Sequence, residues 1–105
     1  MSQLEETLAF QIRVARLPKP EREVSPIEGR KFRFDFGWKD RRVLVEVQGG
    51  IWVKSGHSSG TGIERDMEKG NLAQLDGWVV LHVGKKHIES GEALDWIKRA
   101  LHAKA

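Results

Sequence analysis

Apolar residues near the start of the chain recur with the period of a helix. The stripe is formed by Leu4, Leu8, Ala9, Ile12 and Ala15. Ser2 and Glu5 have the spacing of a capping box, in which each residue satisfies a free amide at the start of a helix. Pro18 and Pro20 cannot continue a helix. The pattern therefore predicts a helix that begins at Ser2 and ends before Pro18.

The clearest strand pattern is a hairpin between Lys31 and Gln48, in which Phe and Val residues occupy every second position. A turn centred on Lys39-Asp40 pairs Phe36 with Val43, Phe34 with Val45 and Phe32 with Val47. All these apolar residues then share one face of the hairpin. The opposite face carries Asp35, Leu44, Glu46 and Gln48. In this register Asp35 and Glu46 are diagonal neighbours, roughly 5–8 Å apart.

The remaining segments predict a short strand, a loop, two helices and a further strand. Arg22–Val24 has the composition of a short edge strand, and residues 49–62 form a long polar loop rich in glycine. Ile63–Leu75 has the pattern of a helix. Trp78–Val83 is a continuous apolar run, which is typical of a strand buried on both faces. Ser90 is predicted to cap a final helix.

The order of these elements predicts an α/β fold in one domain, residues 1–105. A strand–helix–strand unit forms a right-handed crossover, which makes its two strands parallel. We therefore expect a mixed β-sheet, with an antiparallel hairpin and one parallel strand added through the crossover. The helices flank this sheet.

Composition excludes several classes of site and partner. The chain has no cysteine, so disulfides, thiol nucleophiles and Cys-ligated metal sites are excluded. No apolar stretch approaches the ~20 residues that cross a bilayer, and the start of the chain lacks a signal-peptide core. A cytoplasmic protein with no membrane partner is the expectation. The net charge of +3, with acids and bases interleaved, mildly favours a polyanionic partner.

Asp35 and Glu46 are the residues whose placement predicts chemistry. Two carboxylates that face the same way on adjacent strands repel each other unless a cation neutralises them. Mg²⁺ suits such a pair, because it binds one or two carboxylates together with water and phosphate oxygens. Gln48 lies on the same face and could orient an attacking water.

The sequence around these carboxylates resembles the PD-(D/E)XK nuclease superfamily. In a narrower sense it is similar to small phage-associated and very-short-patch-repair-like endonucleases. The residues that carry the resemblance are Arg33-Phe34-Asp35-Phe36, Val45-Glu46-Val47-Gln48-Gly49-Gly50, His57, Gly60, Asp66, Lys69, Asn71 and Gly77-Trp78. The superfamily core runs helix, three strands, helix, strand, which is the order predicted above. The resemblance spans residues 2–88.

The resemblance implies a restriction-endonuclease-like fold and a Mg²⁺-dependent DNA endonuclease, with Mn²⁺ as a substitute metal. Asp35 and Glu46 would bind the metal, and the carbonyl of Val47 would add a ligand. Two positions depart from the family pattern: Phe34 replaces a proline, and Gln48 replaces a lysine. Lys69, on the following helix, is a candidate source of the missing positive charge.

Further candidate residues extend this site, one from the first helix and the others from basic side chains and a loop histidine. Glu5 is either a helix cap alone or an additional carboxylate of the site, and the sequence leaves this open. Candidate DNA contacts are His57, Lys54, Arg65 and Lys69. His82, inside the predicted strand, is expected to be structural.

Other interpretations of these residues stay open. Asp35 and Glu46 could belong to an ordinary exposed strand face, with Arg33 as the ion-pair partner of Glu46. The whole domain could be a non-catalytic nucleic-acid-binding module, or a small interaction domain. A chain of 105 residues has little surface for reading DNA sequence, so structure-directed or partner-directed cutting is expected of a nuclease. A homodimer would double the footprint on DNA.

Overall fold

A computed structural model describes residues 2–48 and 60–104 of the chain. Within these ranges four helices and four strands follow the predicted order, with one helix more than expected. Their bounds are α1 Gln3–Val14, β1 Glu21–Val24, β2 Phe34–Trp38, β3 Val43–Val47, α2 Gly60–Leu75, β4 Val79–Val83, α3 Lys85–Ser90 and α4 Glu92–Ala103. None of the helices in the described ranges is long and apolar enough to cross a membrane.

The strands form one mixed sheet in the order β1-β2-β3-β4. Strand β2 is antiparallel to both of its neighbours, β1 and β3, whereas β3 and β4 are parallel. The predicted mixed sheet and the crossover through α2 are therefore confirmed. The prediction that β4 is buried on both faces is wrong, because only Val83 of its five residues is buried. The strand lies at the edge of the sheet, where its apolar residues are only partly covered.

The hairpin pairs in a different register from the predicted one. Phe36 lies opposite Val45 rather than Val43, because the turn extends through residues 39–42 instead of two residues. A slip of two residues does not by itself change the face on which a side chain lies. Extended one position beyond Phe36 and Val45, the observed register sets Asp35 opposite Glu46, whereas the predicted register made them diagonal neighbours.

The apolar residues of the hairpin do not share one face as predicted. Phe36 packs into the larger core with helices α1, α3 and α4, but Phe34 packs with Leu44 on the α2 side. The alternation breaks at Asp35, which lies between the two phenylalanines. Across from Asp35, Glu23 of β1 has a φ of 55°, a left-handed backbone that a non-glycine residue rarely adopts. The unusual backbone of β1 and the break in the alternation of β2 therefore lie at the same level of the sheet.

The predicted N-cap of the first helix is confirmed, whereas the predicted N-cap of the last helix is wrong. Ser2 is the N-cap of α1, where its side chain accepts a hydrogen bond from the amide of Glu5. Ser90 is not the N-cap of the last helix, because it ends the additional helix α3 and Gly91 caps α4. The left-handed φ of 89° at Gly91 reverses the chain between these helices.

Two glycines give opposite predictions for stability. A Cβ at Gly37 would lie 2.8 Å from Cγ2 of buried Val24, so Gly37→Ala should destabilise the fold by about 1–3 kcal/mol. A Cβ at Gly70, inside α2, would meet nothing closer than 3.7 Å. Gly70→Ala should therefore stabilise the protein by about 0.5–1 kcal/mol through helix propensity. Urea unfolding measures both changes, and shifts of the same sign would contradict this packing.

Candidate functional site

Asp35 and Glu46 lie on the two central strands of the sheet. Oδ2 of Asp35 accepts a hydrogen bond of 2.6 Å from the backbone amide of Val47, the residue after Glu46. This bond ties the carboxylate of β2 to the backbone of β3. Asp35, Glu46 and Val47 are all partly buried. The structure thus brings together the carboxylates that the sequence pattern placed on one face.

Glu46 has a cationic partner that comes from α2. The ammonium of Lys69 lies 2.7 Å from Oε2 of Glu46, and it also donates a 2.6 Å hydrogen bond to the carbonyl of Arg33. The side chains of Lys69 and Glu46 are only 11% and 18% exposed, so water screens this pair weakly. The other oxygen, Oε1 of Glu46, is buried and has no hydrogen-bond partner among residues 2–48 and 60–104. In the alternative interpretation Arg33 pairs with Glu46, but the structure pairs Glu46 with Lys69 and places Arg33 3.8 Å from Glu23.

Helix α2 reaches Glu46 because its inner face is small. Gly70 and Ala73 are buried against the sheet, and Lys69 lies beside them on the same side of the helix. Position 70 has room for a Cβ, whose nearest neighbour would be Nε2 of His82 at 3.7 Å, so only a side chain larger than alanine there would push α2 away from β4. The small residues on this side of α2 therefore let Lys69 contact a carboxylate on β3.

Two further carboxylates lie beside Asp35. Oxygen atoms of Glu5, Glu23 and Asp35 all lie within 4.8 Å of one another. Glu5 also lies at the cap of α1, where its amide donates to Oγ of Ser2 and Ser2 Oγ lies 3.5 Å from Oε2 of Glu5. Its Oε1 is buried, accepts no hydrogen bond from the described residues and lies 3.9 Å from Arg22. Acidic groups of this kind are common without any metal ion.

Burial raises the pKa of all three partly buried carboxyl groups. For Asp35, desolvation outweighs the amide of Val47, which acts in the opposite direction. For Glu46, desolvation outweighs the hydrogen bond and charge of Lys69. For Glu5, desolvation and the charge of Asp35 both raise the pKa. Burial is the largest cause in each case, so these carboxyl groups are held at a position where their charged form is poorly hydrated.

Gln48 and His82 lie next to each other on the far side of Glu46. Nε2 of Gln48 is 3.3 Å from Nδ1 of His82, and His82 is also the ladder partner of Glu46 in β4. Desolvation and the nearby charge of Lys69 lower the pKa of His82. The neutral imidazole can accept a hydrogen bond from the Gln48 amide, which leaves the carbonyl oxygen of Gln48 for another partner.

The predicted DNA contacts fall into three groups. Lys54 and His57 lie outside the described residues. Arg65 is exposed on α2, one turn before Lys69, and makes no ion pair with any described residue. Lys69 lies inside the site rather than on open surface.

Sequence reasoning missed two neighbours of the site. Glu23 belongs to an edge strand that has little apolar pattern, so nothing in the sequence indicated that it would lie across from Asp35. His82 was expected to be structural because it lies within an apolar run. Its position beside Glu46 could have been inferred only from the exact register of β3 and β4.

The raised pKa values predict a pH-dependent gain in stability for Asp35→Asn. The ordinary pKa values are 3.8 for Asp and 4.5 for Glu. A raised folded-state pKa contributes stability that is present below these values and is lost as pH rises through the folded pKa. Asn keeps an oxygen for the amide of Val47 but carries no charge. Urea unfolding should show Asp35→Asn to be more stable than wild type at about pH 7, with the difference vanishing near pH 3.

Glu46→Gln is the companion variant for this measurement. The pKa of Glu46 is also raised, because desolvation outweighs Lys69, so this substitution should likewise be more favourable at about pH 7 than near pH 3. It removes the anionic partner of Lys69, so its gain over wild type should be smaller than that of Asp35→Asn. A pH dependence of opposite sign in either variant would contradict the raised pKa values.

Comparison with known proteins gives no match: no family model fits the chain, and no curated protein or solved structure matches it significantly. The interpretation of the site therefore depends on its own side chains. The features that carry it are the adjacent carboxylates of Asp35 and Glu46 and the ammonium of Lys69.

Proposed function

We propose that this protein is a metal-dependent endonuclease that hydrolyses phosphodiester bonds in DNA. The observation that carries the proposal is the pair of partly buried carboxylates on adjacent central strands, with an ammonium 2.7 Å from one of them. The mixed sheet, with its crossover helix after β3, is the arrangement that a restriction-endonuclease-like fold requires. The resemblance to PD-(D/E)XK nucleases supplies the reaction class.

The chemistry of the oxygen atoms suits a divalent cation such as Mg²⁺, or Mn²⁺ in its place. Asp35 uses one oxygen for the amide of Val47, and Glu46 uses one for Lys69. Each carboxylate keeps a second oxygen that accepts no hydrogen bond from the described residues, and that of Glu46 is buried. Hard oxygen donors of this kind are what Mg²⁺ prefers. Asp35, Glu46 and the carbonyl of Val47 would hold the ion.

A bound divalent cation supplies an acidified water and stabilises negative charge on the phosphate. The protein's own groups have complementary tasks. The superfamily has a lysine at the position on β3 where this chain has Gln48. Here Lys69 of α2 instead places a positive charge beside Glu46. An ammonium in that position can stabilise the charge that develops on the scissile phosphate. The carbonyl oxygen of Gln48 can orient the attacking water, since its amide nitrogen faces His82.

DNA is proposed as the substrate because the site combines acids with exposed basic residues. Arg65 extends from α2 toward solvent, one helical turn from Lys69. Electrostatic contacts of this kind position a phosphate backbone without reading its sequence. We therefore propose structure-directed or partner-directed cutting. A homodimer would extend the same contacts over a longer stretch of DNA.

One observation favours a second candidate function. Lys69 and the amide of Val47 already satisfy one oxygen each of Glu46 and Asp35. This internal compensation would let the fold persist without a metal, as a non-catalytic nucleic-acid-binding module requires.

A cleavage assay separates the two functions. Labelled duplex, flap, branched and single-stranded DNA should be incubated with the protein, with and without Mg²⁺ or Mn²⁺. We expect metal-dependent cleavage that Asp35→Asn and Glu46→Gln each reduce at least a hundredfold, about 2.7 kcal/mol in the barrier. Asp95→Asn is the control, because that carboxylate lies on α4 and contacts only Arg99. DNA binding by a wild type that cleaves nothing would instead establish the binding module.

A second prediction concerns the origin of the positive charge. Lys69→Met should lower the cleavage rate at least tenfold, about 1.4 kcal/mol in the barrier. Adding Gln48→Lys to that variant should restore cleavage, because it returns an ammonium to the site from β3. The measurement is steady-state kinetics on four proteins: wild type, Lys69→Met, Gln48→Lys and the double variant. Failure of Gln48→Lys to restore any activity would contradict the interchange of the two positions.

A further inference from the structure

The aromatic ring of Phe34 lies against the ammonium of Lys69. Nζ of Lys69 is 4.6 Å from the ring centroid, within the range at which the negative face of an aromatic ring attracts a cation. Phe34 is only 1% exposed, so water competes little with this attraction. The ring therefore belongs both to the smaller core and to the surroundings of Glu46.

The ring completes the set of partners around the ammonium. A lysine ammonium has three N–H donors. Two of them are directed at oxygens, Oε2 of Glu46 and the carbonyl of Arg33. Among the described residues the remaining side is covered by the face of Phe34. Lysine has a long flexible side chain, and each such contact reduces the number of positions that its ammonium can occupy.

We infer that Phe34 is a positioning residue, whose ring holds the ammonium of Lys69 against Glu46. The inference rests on the proposed nuclease function. Lys69 reaches Glu46 from helix α2, and the ring of Phe34 on β2 contacts its ammonium there.

The simpler role of Phe34 is that of a core side chain, and the two roles predict different results. Phe34 packs with Val24 and Leu44, so truncating it will lower stability in any case. If packing is its only role, the loss will be the same whether or not Lys69 is present. If the ring also holds the ammonium, the loss will be larger in the presence of Lys69.

A double-mutant cycle on the metal-free protein measures this difference. The four proteins are wild type, Phe34→Leu, Lys69→Met and the double variant, and the measurement is urea unfolding. We expect a coupling of about threefold to thirtyfold in the unfolding equilibrium constant, as cation–π contacts give. Additive effects would overturn the inference. Phe34→Met replaces Phe34→Leu in the cycle if the latter does not fold.

The nuclear magnetic resonance spectrum of Lys69 provides a second readout that does not depend on activity. The ring current of Phe34 should shift the ε-methylene protons of Lys69 upfield, and Phe34→Leu should abolish the shift. Phe36→Leu is the matched control, since Phe36 is equally buried on β2 but its ring contacts Arg22. An unchanged Lys69 resonance in Phe34→Leu would overturn the inference.

Cleavage kinetics connect the contact to the reaction. Phe34→Leu should lower kcat at least tenfold without changing KM, and it should cause no further loss when Lys69→Met is already present. Phe36→Leu should leave kcat unchanged. Equal losses of kcat in Phe34→Leu and Phe36→Leu would overturn the positioning role. A wild type that cleaves no substrate would refute the proposed function, while the stability cycle would still report separately on the contact between Phe34 and Lys69.

Discussion

The candidate site depends on the desolvation of Glu46. A carboxylate at this depth in a sheet loses much of its hydration, and burial raises its pKa above the ordinary value. Lys69 offsets part of that cost through a 2.7 Å contact, but Oε1 of the same carboxylate is buried and no described residue donates a hydrogen bond to it. An unsatisfied buried oxygen is costly to stability. This cost is the physical reason to regard Glu46 as part of a functional site rather than as a structural ion pair.

The crossover from β3 to β4 makes this arrangement possible. It places α2 over the central strands, and Gly70 and Ala73 let the helix come close to the sheet. Lys69 then contacts a strand that precedes its own helix in the chain. The positive charge of the site therefore comes from a different layer of the fold than the carboxylates.

The kink of β1 at Glu23 shapes the acidic side of the site. Its left-handed backbone lies across from Asp35, at the position where Phe34 and Phe36 turn into different cores. A non-glycine residue in this conformation costs roughly 1–2 kcal/mol. The same region brings Glu5, Glu23 and Asp35 together, so backbone strain and clustered negative charge occur at one place. Strain of this kind is typically found at functional sites.

The sequence by itself determined the order of elements, the mixed sheet and the pairing of β3 with β4. These features follow from local signals, namely the helical stripe of α1, the alternation of Phe and Val residues, and the handedness of crossovers. It also placed Asp35 and Glu46 on neighbouring strands. The predicted register of β2 and β3 was wrong by two residues. The two carboxylates are neighbours all the same, since a slip of two residues does not by itself change the face on which a side chain lies.

Only the tertiary structure decided the partners of those carboxylates. The position of Lys69 against Glu46 and Phe34 depends on how closely α2 packs on the sheet, which no local pattern encodes. The positions of Glu23 and His82 depend on the pairing of the edge strands. The polar sequence of β1 leaves its register weakly specified, and the register of β4 is set by how it docks beside β3. Likewise, only the structure showed that Phe34 and Phe36 of β2 pack into different cores, because this requires a break in the alternation of the strand. Local periodicity specifies the elements of this protein, whereas long-range packing determines the charges that surround its candidate site.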